Sequence, residues 1–119
     1  MSTVPAEVDP LSAAEYESRT RAVLAAIEAS ADRFLQEDVV DIDAGRTGGL
    51  LELDFPNGSK IVVNTQPPLH ELWLAALAGG YHFRAQAGRW IDGKSGREFF
   101  DVLSACASAQ AGRPLRFER

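Results

Sequence analysis

Six carboxylates fall within sixteen residues of this chain: Glu28, Asp32, Glu37, Asp38, Asp41 and Asp43. Charges crowded in this way repel one another. Such a run is either a solvated edge or a surface that draws in a cation or a basic partner. Carboxylates with no His or Cys among them suit hard or borderline ions such as Fe, Mn, Mg or Ca, and an open site of that kind binds weakly. Asp41, Asp43 and Glu52 stand at positions one, three and twelve of an EF-hand loop. Position six, however, is Arg46, where the sharp turn needs Gly, and the flanks alternate like strands, so that reading is rejected.

Other reactive side chains are isolated. His70 and His82 have no metal-ligand spacing and no Cys partner, and Cys106 lies on the apolar stripe of a helix, where a thiol is inert core. Glu52 and Asp54 point the same way on one strand, but no nucleophile accompanies them. The glycines of 45–49 follow no phosphate-loop pattern. Nothing here argues for an enzyme.

Charge is distributed unevenly. Through Asp43 there are ten acidic and three basic residues, a net of −7, against +2 for the remainder. The first half therefore repels phosphates, and nucleic acid is excluded as its partner. No apolar run approaches the length of a bilayer span, no secretory or transit signal opens the chain, and a single cysteine forms no internal disulfide. The expectation is a soluble cytoplasmic protein that meets no membrane.

These groups must be positioned by one domain, residues 1–119, with 1–11 as a frayed lead-in. Ser12 and Glu15 have capping-box spacing. Tyr16, Thr20, Val23, Leu24, Ile27, Ala31 and Phe34 follow at helical intervals, which predicts a helix over 12–35. The period then changes to two. Val40, Ile42 and Ala44 suggest a strand broken by Gly45–Gly49, and Leu51, Leu53 and Phe55 suggest another. Asn57-Gly58 marks a turn. A three-residue loop, 56–58, keeps the apolar faces aligned by pairing Leu53 with Ile61 and Asp54 with Lys60; a two-residue loop would mix them. Pro67-Pro68 bends the chain, Gly79-Gly80 reads as a turn, and a short strand surrounds Trp90. Ser95 and Glu98 have a second capping-box spacing ahead of the stripe Phe99, Val102, Leu103, Cys106 and Ala109.

The result is an α+β fold: a two-layer α/β sandwich, with two helices on one face of a five- to six-stranded, mainly antiparallel sheet. Its other face is open. Alternation puts Asn64, Gln66 and Trp73 there. The indole is either covered by the 67–68 loop or the tail, or it is exposed between amides, the composition of a protein-interaction hot spot.

The string Asn57-Gly58-Ser59-Lys60-Ile61-Val62-Val63-Asn64, then Gln66, Pro68-Leu69-His70, Leu72-Trp73-Leu74-Ala75 and Gly79-Gly80-Tyr81-His82-Phe83, resembles the bacterial frataxins, the CyaY family. Trp90-Ile91 and the helix start at 95–99 fit as well. The similarity covers about residues 12–118. It implies the same sandwich and a non-enzymatic part in iron–sulfur cluster assembly: weak iron binding on an acidic ridge, and docking onto the cysteine desulfurase and the scaffold protein. Iron as Fe2+ or Fe3+ is the implied ligand, with no organic cofactor.

Carried over residue by residue, the ridge comprises Glu17, Glu28, Asp32, Glu37, Asp38, Asp41 and Asp43, and the partner surface comprises Asn64, Gln66 and Trp73. Ala29, Arg33 and Gly45 stand where the family often has carboxylates, which weakens the iron expectation more than the partner one. A monomer is expected, with iron-dependent oligomers as the alternative. The rival readings are a pure protein-interaction module and an iron-oxidising or iron-storing activity.

Overall fold

The computed structural model describes residues 8–119. Helix α1, Ala13–Gln36, starts at Ser12, whose hydroxyl accepts from Glu15 N–H while the Glu15 carboxylate accepts from Ser12 N–H. Six strands follow: β1 Asp43–Thr47, β2 Leu50–Asp54, β3 Lys60–Gln66, β4 Glu71–Ala76, β5 Gly79–Gln86 and β6 Arg89–Asp92. They lie side by side in chain order, every pair antiparallel. A 3₁₀ turn at Pro67–Leu69 joins β3 to β4, and helix α2, Phe99–Ala111, closes the order. The two-layer α+β sandwich expected from the sequence is the observed fold, with the strand count settled at six.

The core lies between the inner sheet face and the helices. Leu51, Leu53, Ile61, Val63, Leu72, Leu74 and Phe83 meet Leu24, Ile27, Phe99 and Leu103, all at most 1% exposed. The chain end belongs to it too. Phe117 packs edge-on against Phe34, and Ser104 and Ser30 hydroxyls accept the backbone N–H of Phe117 and Glu118. The β2–β3 loop has the expected three residues. Leu53 faces Ile61, Asp54 faces Lys60, and Gly58 takes a left-handed φ of +86°. Gln110 of α2 fastens this loop, its amide donating to Ser59 Oγ and Lys60 O.

Several local expectations are corrected. β1 does not stop at Gly45 but runs to Thr47, because β2 offers it a full antiparallel partner; the turn is at Gly48-Gly49. Gly49 is required by contact, since a Cβ there would sit 2.1 Å from Thr65 Oγ1. The β4–β5 turn is Leu77-Ala78, and Gly79-Gly80 already pair with Ala76 and Ala75 inside the sheet. Ser95 does not cap α2. Its hydroxyl is taken by Asp92 at 2.6 Å, and Glu98 is the N-cap, accepting from Phe100 N–H. On α2, Ala109 is exposed while Ala107 and Gln110 are buried.

Residues 1–7 of the expected lead-in lie outside the described residues. Within the rest, Asp9 is held rather than frayed. Its N–H donates to Ala85 O at 2.7 Å, and its carboxylate accepts from Ala87 and Gly88 N–H at 2.9 and 2.8 Å. These bonds hold its carboxyl below the usual aspartate range, those from Gly88 first, against a smaller opposing effect of burial.

Candidate functional site

The acidic residues divide into groups. Glu28, Asp32, Asp41 and Asp43 line one open groove of about 360 Å³, between the second half of α1 and the start of β1. Ala29, Ala31, Leu35, Ile42 and Ala44 make up the rest of its wall. Arg46 reaches across from β1 to Glu28 at 2.8 Å and neutralises one of the four. Among the described residues, no basic side chain lies within ion-pair distance of Asp32, Asp41 or Asp43. The groove therefore carries most of its negative charge uncompensated.

Three other ridge candidates stand apart. Glu17 is eleven residues before Glu28 on the same helix, about 16 Å away by the helical rise, and pairs with Arg21 at 2.7 Å. Glu37 is the α1 C-cap, with its carboxylate 3.9 Å from Arg33 Nε. Asp38 terminates the helix: its φ is +55°, its N–H bonds Leu35 O, and the next N–H, of Val39, bonds Phe34 O. That is a Schellman end, built here on Asp, which tolerates the left-handed conformation better than most side chains. Among the described residues, no three His, Cys, Asp or Glu side chains are close enough together to hold a metal ion.

On the open sheet face the register aligns a row of three, Asn64 on β3, Trp73 on β4 and His82 on β5. Gln66, Glu71 and Arg84 form the next row. Trp73 is half-buried, and what covers it is neither the 67–68 loop nor the tail but the imidazole of His82, stacked at 4.0 Å between centroids and 8° between planes. The other part of the indole lines a shallow hollow of about 270 Å³ with Leu50, Val62, Asn64 and Ala75. Asn64 and Trp73 are thus neighbours, whereas Gln66 is one row away, its backbone N–H held by the Tyr16 hydroxyl.

Sequence reasoning missed Glu71, His82 and Arg84 as parts of this surface. The signal was available in strand arithmetic: a two-residue turn at 77–78 places 73 opposite 82 and 71 opposite 84. Reading the glycines as the turn hid it. Glu71 is only 6% exposed although it is charged and faces outward. One carboxylate oxygen accepts from Trp73 Nε1 at 2.9 Å and the other from Arg84 Nε at 2.8 Å. Burial pushes this carboxyl up, but those two bonds and the Arg84 charge outweigh it and hold it below the ordinary glutamate value.

A depressed carboxyl stabilises the fold above its unfolded value, near pH 4.5, and that contribution is lost as pH falls through the folded value. Denaturant titrations between pH 6 and pH 3 should therefore show a shallower loss of stability in Glu71→Gln than in the parent. Equal slopes would remove Glu71 from the acid response.

A family model described as the frataxin-like domain matches residues 9–113. The chain belongs to the frataxin-like family. The iron-sulfur cluster assembly protein CyaY of Variovorax paradoxus (strain S110) is 52% identical over 103 residues, covering 87% of this chain and 94% of its own. The protein of the same name from Paraburkholderia xenovorans (strain LB400) is 51% identical over 108 residues, covering 91% and 99%. Among solved structures, frataxin from Psychromonas ingrahamii superposes with a TM-score of 0.79 at 34% identity, covering 92% of this chain and all of that one.

Within this frataxin-like frame, the departures expected at Ala29, Arg33 and Gly45 have definite places. Ala29 forms part of the groove wall. The Arg33 guanidinium donates to Arg116 O at 2.8 Å and lies over the Phe34 ring, so it serves the tail. Gly45 is exposed in β1 opposite Glu52. Among the described residues, no helix is long and apolar enough to cross a membrane.

Proposed function

We propose that this chain is a non-catalytic, iron-responsive adaptor in iron–sulfur cluster assembly, the process named in its CyaY relatives. In this reading it docks onto the cysteine desulfurase machinery, with the acidic groove as its field and the Trp73 face as its contact. The observation that carries it is the groove of Glu28, Asp32, Asp41 and Asp43, where three carboxylates face solvent without a cation of their own. Their oxygens are hard donors that suit iron. They are spread along an open surface, so iron is held weakly and exchanges, as suits a sensor or carrier more than a store. Neutralising the groove with iron lowers its attraction for a basic partner surface. Metal supply and docking are then coupled through charge.

An anaerobic ferrous titration of ¹⁵N-labelled protein tests it. Amide signals should broaden selectively around residues 28–32 and 41–43, while Asn64 and Trp73 stay sharp. A second reading, a pure protein-interaction module, is favoured by one fact: no three candidate ligands converge among the described residues. Absence of selective broadening at excess iron would choose that second reading.

A further inference from the structure

We propose that Glu71 is the positioning residue of the open sheet face: its carboxylate sets the orientation of the Trp73 indole on His82, leaving one ring edge and the adjoining hollow open to an apolar side chain of a partner protein. This rests on the reading of that face as the contact surface. Two constraints on an indole must be separated. Stacking on His82 at 4.0 Å and 8° fixes the plane of the ring. A plane can be occupied in two ways, because the terminal χ2 torsion of an aromatic side chain is broad and roughly two-fold. The hydrogen bond from Nε1 selects between them: only one of the two flips puts Nε1 on Glu71 Oε1, 2.9 Å away.

That flip turns the carbocyclic edge of the indole away from Glu71. The ring borders the hollow of Leu50, Val62, Asn64 and Ala75, which is almost wholly apolar in its lining. It is the kind of depression that receives one aliphatic or aromatic anchor.

Glu71 is itself held fast. Arg84, directly across on β5, binds the other carboxylate oxygen at 2.8 Å, and the Tyr16 hydroxyl donates to the Glu71 carbonyl. Burying a carboxylate on a face that is otherwise open is costly unless it is paired and hydrogen-bonded. The sheet ladder and the core do not need a charge here. The two bonds its carboxylate makes are both to side chains of the open face, Trp73 in one row and Arg84 in the next.

The test uses Glu71→Ala and Glu71→Gln in the full chain, with Trp73→Ala beside them. Indole N–H exchange and the ring-current shift of the His82 protons report the ring. Calorimetric titration with the cysteine desulfurase reports docking. Glu71→Ala should speed indole exchange roughly tenfold, the loss of one charge-assisted bond, and average the ring-current shift. Glu71→Gln should lie between the parent and Glu71→Ala, because its single amide oxygen can accept from Trp73 Nε1 or from Arg84 Nε but not from both. Desulfurase affinity should fall several-fold in Glu71→Ala and recover in part in Glu71→Gln.

Should Glu71→Ala not fold, Glu71→Leu removes both acceptors without leaving a cavity and carries the same expectation. An indole as ordered in these variants as in the parent overturns the proposal. So does unchanged docking by Glu71→Ala where Trp73→Ala abolishes it. Unchanged docking by Trp73→Ala overturns instead the assignment of this face as the contact surface.

Discussion

Tyr16→Phe is expected to cost roughly 2–3 kcal/mol of stability through the loss of a single oxygen atom. The hydroxyl is a two-way connector. It accepts from Gln66 N–H at 2.9 Å and donates to the Glu71 carbonyl, so one atom of α1 satisfies the backbone on both sides of the β3–β4 connection. Phe keeps the ring, its stack on His70 at 4.8 Å and its edge contact with Trp90. What it removes is the partner of two backbone groups, and stranding a buried donor or acceptor costs about 1–3 kcal/mol each. Burial raises the phenol above its ordinary value, which keeps the donating proton in place well into alkaline solution. Thermal unfolding should show a midpoint lower by roughly 10 °C for a domain of this size. A change below about 2 °C would mean that water replaces the hydroxyl at no cost.

The second large effect is on binding. Asp32→Lys places a positive charge in the groove beside Asp41 and Asp43, a change of two units where no cation balanced the original. On the proposed docking, affinity for a cysteine desulfurase should drop about tenfold at low ionic strength and by less than about twofold near 0.5 M salt, where the screening length is only a few ångströms. Folding should be untouched, since Asp32 is exposed and makes no ion pair among the described residues. Equal loss at both salt concentrations would point to a shape-dependent contact and count against coupling through charge. Glu28→Gln is the instructive companion. It leaves Arg46 without its 2.8 Å partner and changes the local charge by one unit, so it should weaken docking less than Asp32→Lys does.

Where local chemistry had a single answer, the sequence was legible. Ser12 and Glu15 are reciprocal caps, and the period of Tyr16 to Phe34 admits nothing but a helix with one apolar face. The 56–58 loop followed from parity, because only an odd loop keeps Leu53 and Ile61 on the same side. Failures came where one residue type has two uses. Glycine serves both turns and strands, and Gly79-Gly80 went into the sheet because Leu77-Ala78 could turn as well. Ser95 caps a helix or bonds an Asx turn, and Asp92, three residues earlier, claimed it first. Asp38 has two uses as well: its backbone ends a helix, whatever its carboxylate meets. At the site, alternation found the face of Trp73. It did not reveal that Glu71 is buried there, bonded to Trp73 on its own strand and to Arg84 on the next.

The serial meander has a consequence for how this chain reaches its fold. Each strand pairs with its neighbour in sequence, so every hairpin closes a short loop, and the sheet can assemble quickly by local steps. The helices are another matter. They lie at opposite ends of the order, and the contacts that seal them are remote: Tyr16 to the 66–71 connection, and Ser30 to Glu118 across 88 residues. Until those form, the inner faces of β2 to β5 present Leu51, Leu53, Ile61, Val63, Leu72, Leu74 and Phe83 as a bare apolar surface. Refolding should therefore be limited by helix docking. The species at risk of aggregation is a formed sheet waiting for its helices, most exposed at high protein concentration.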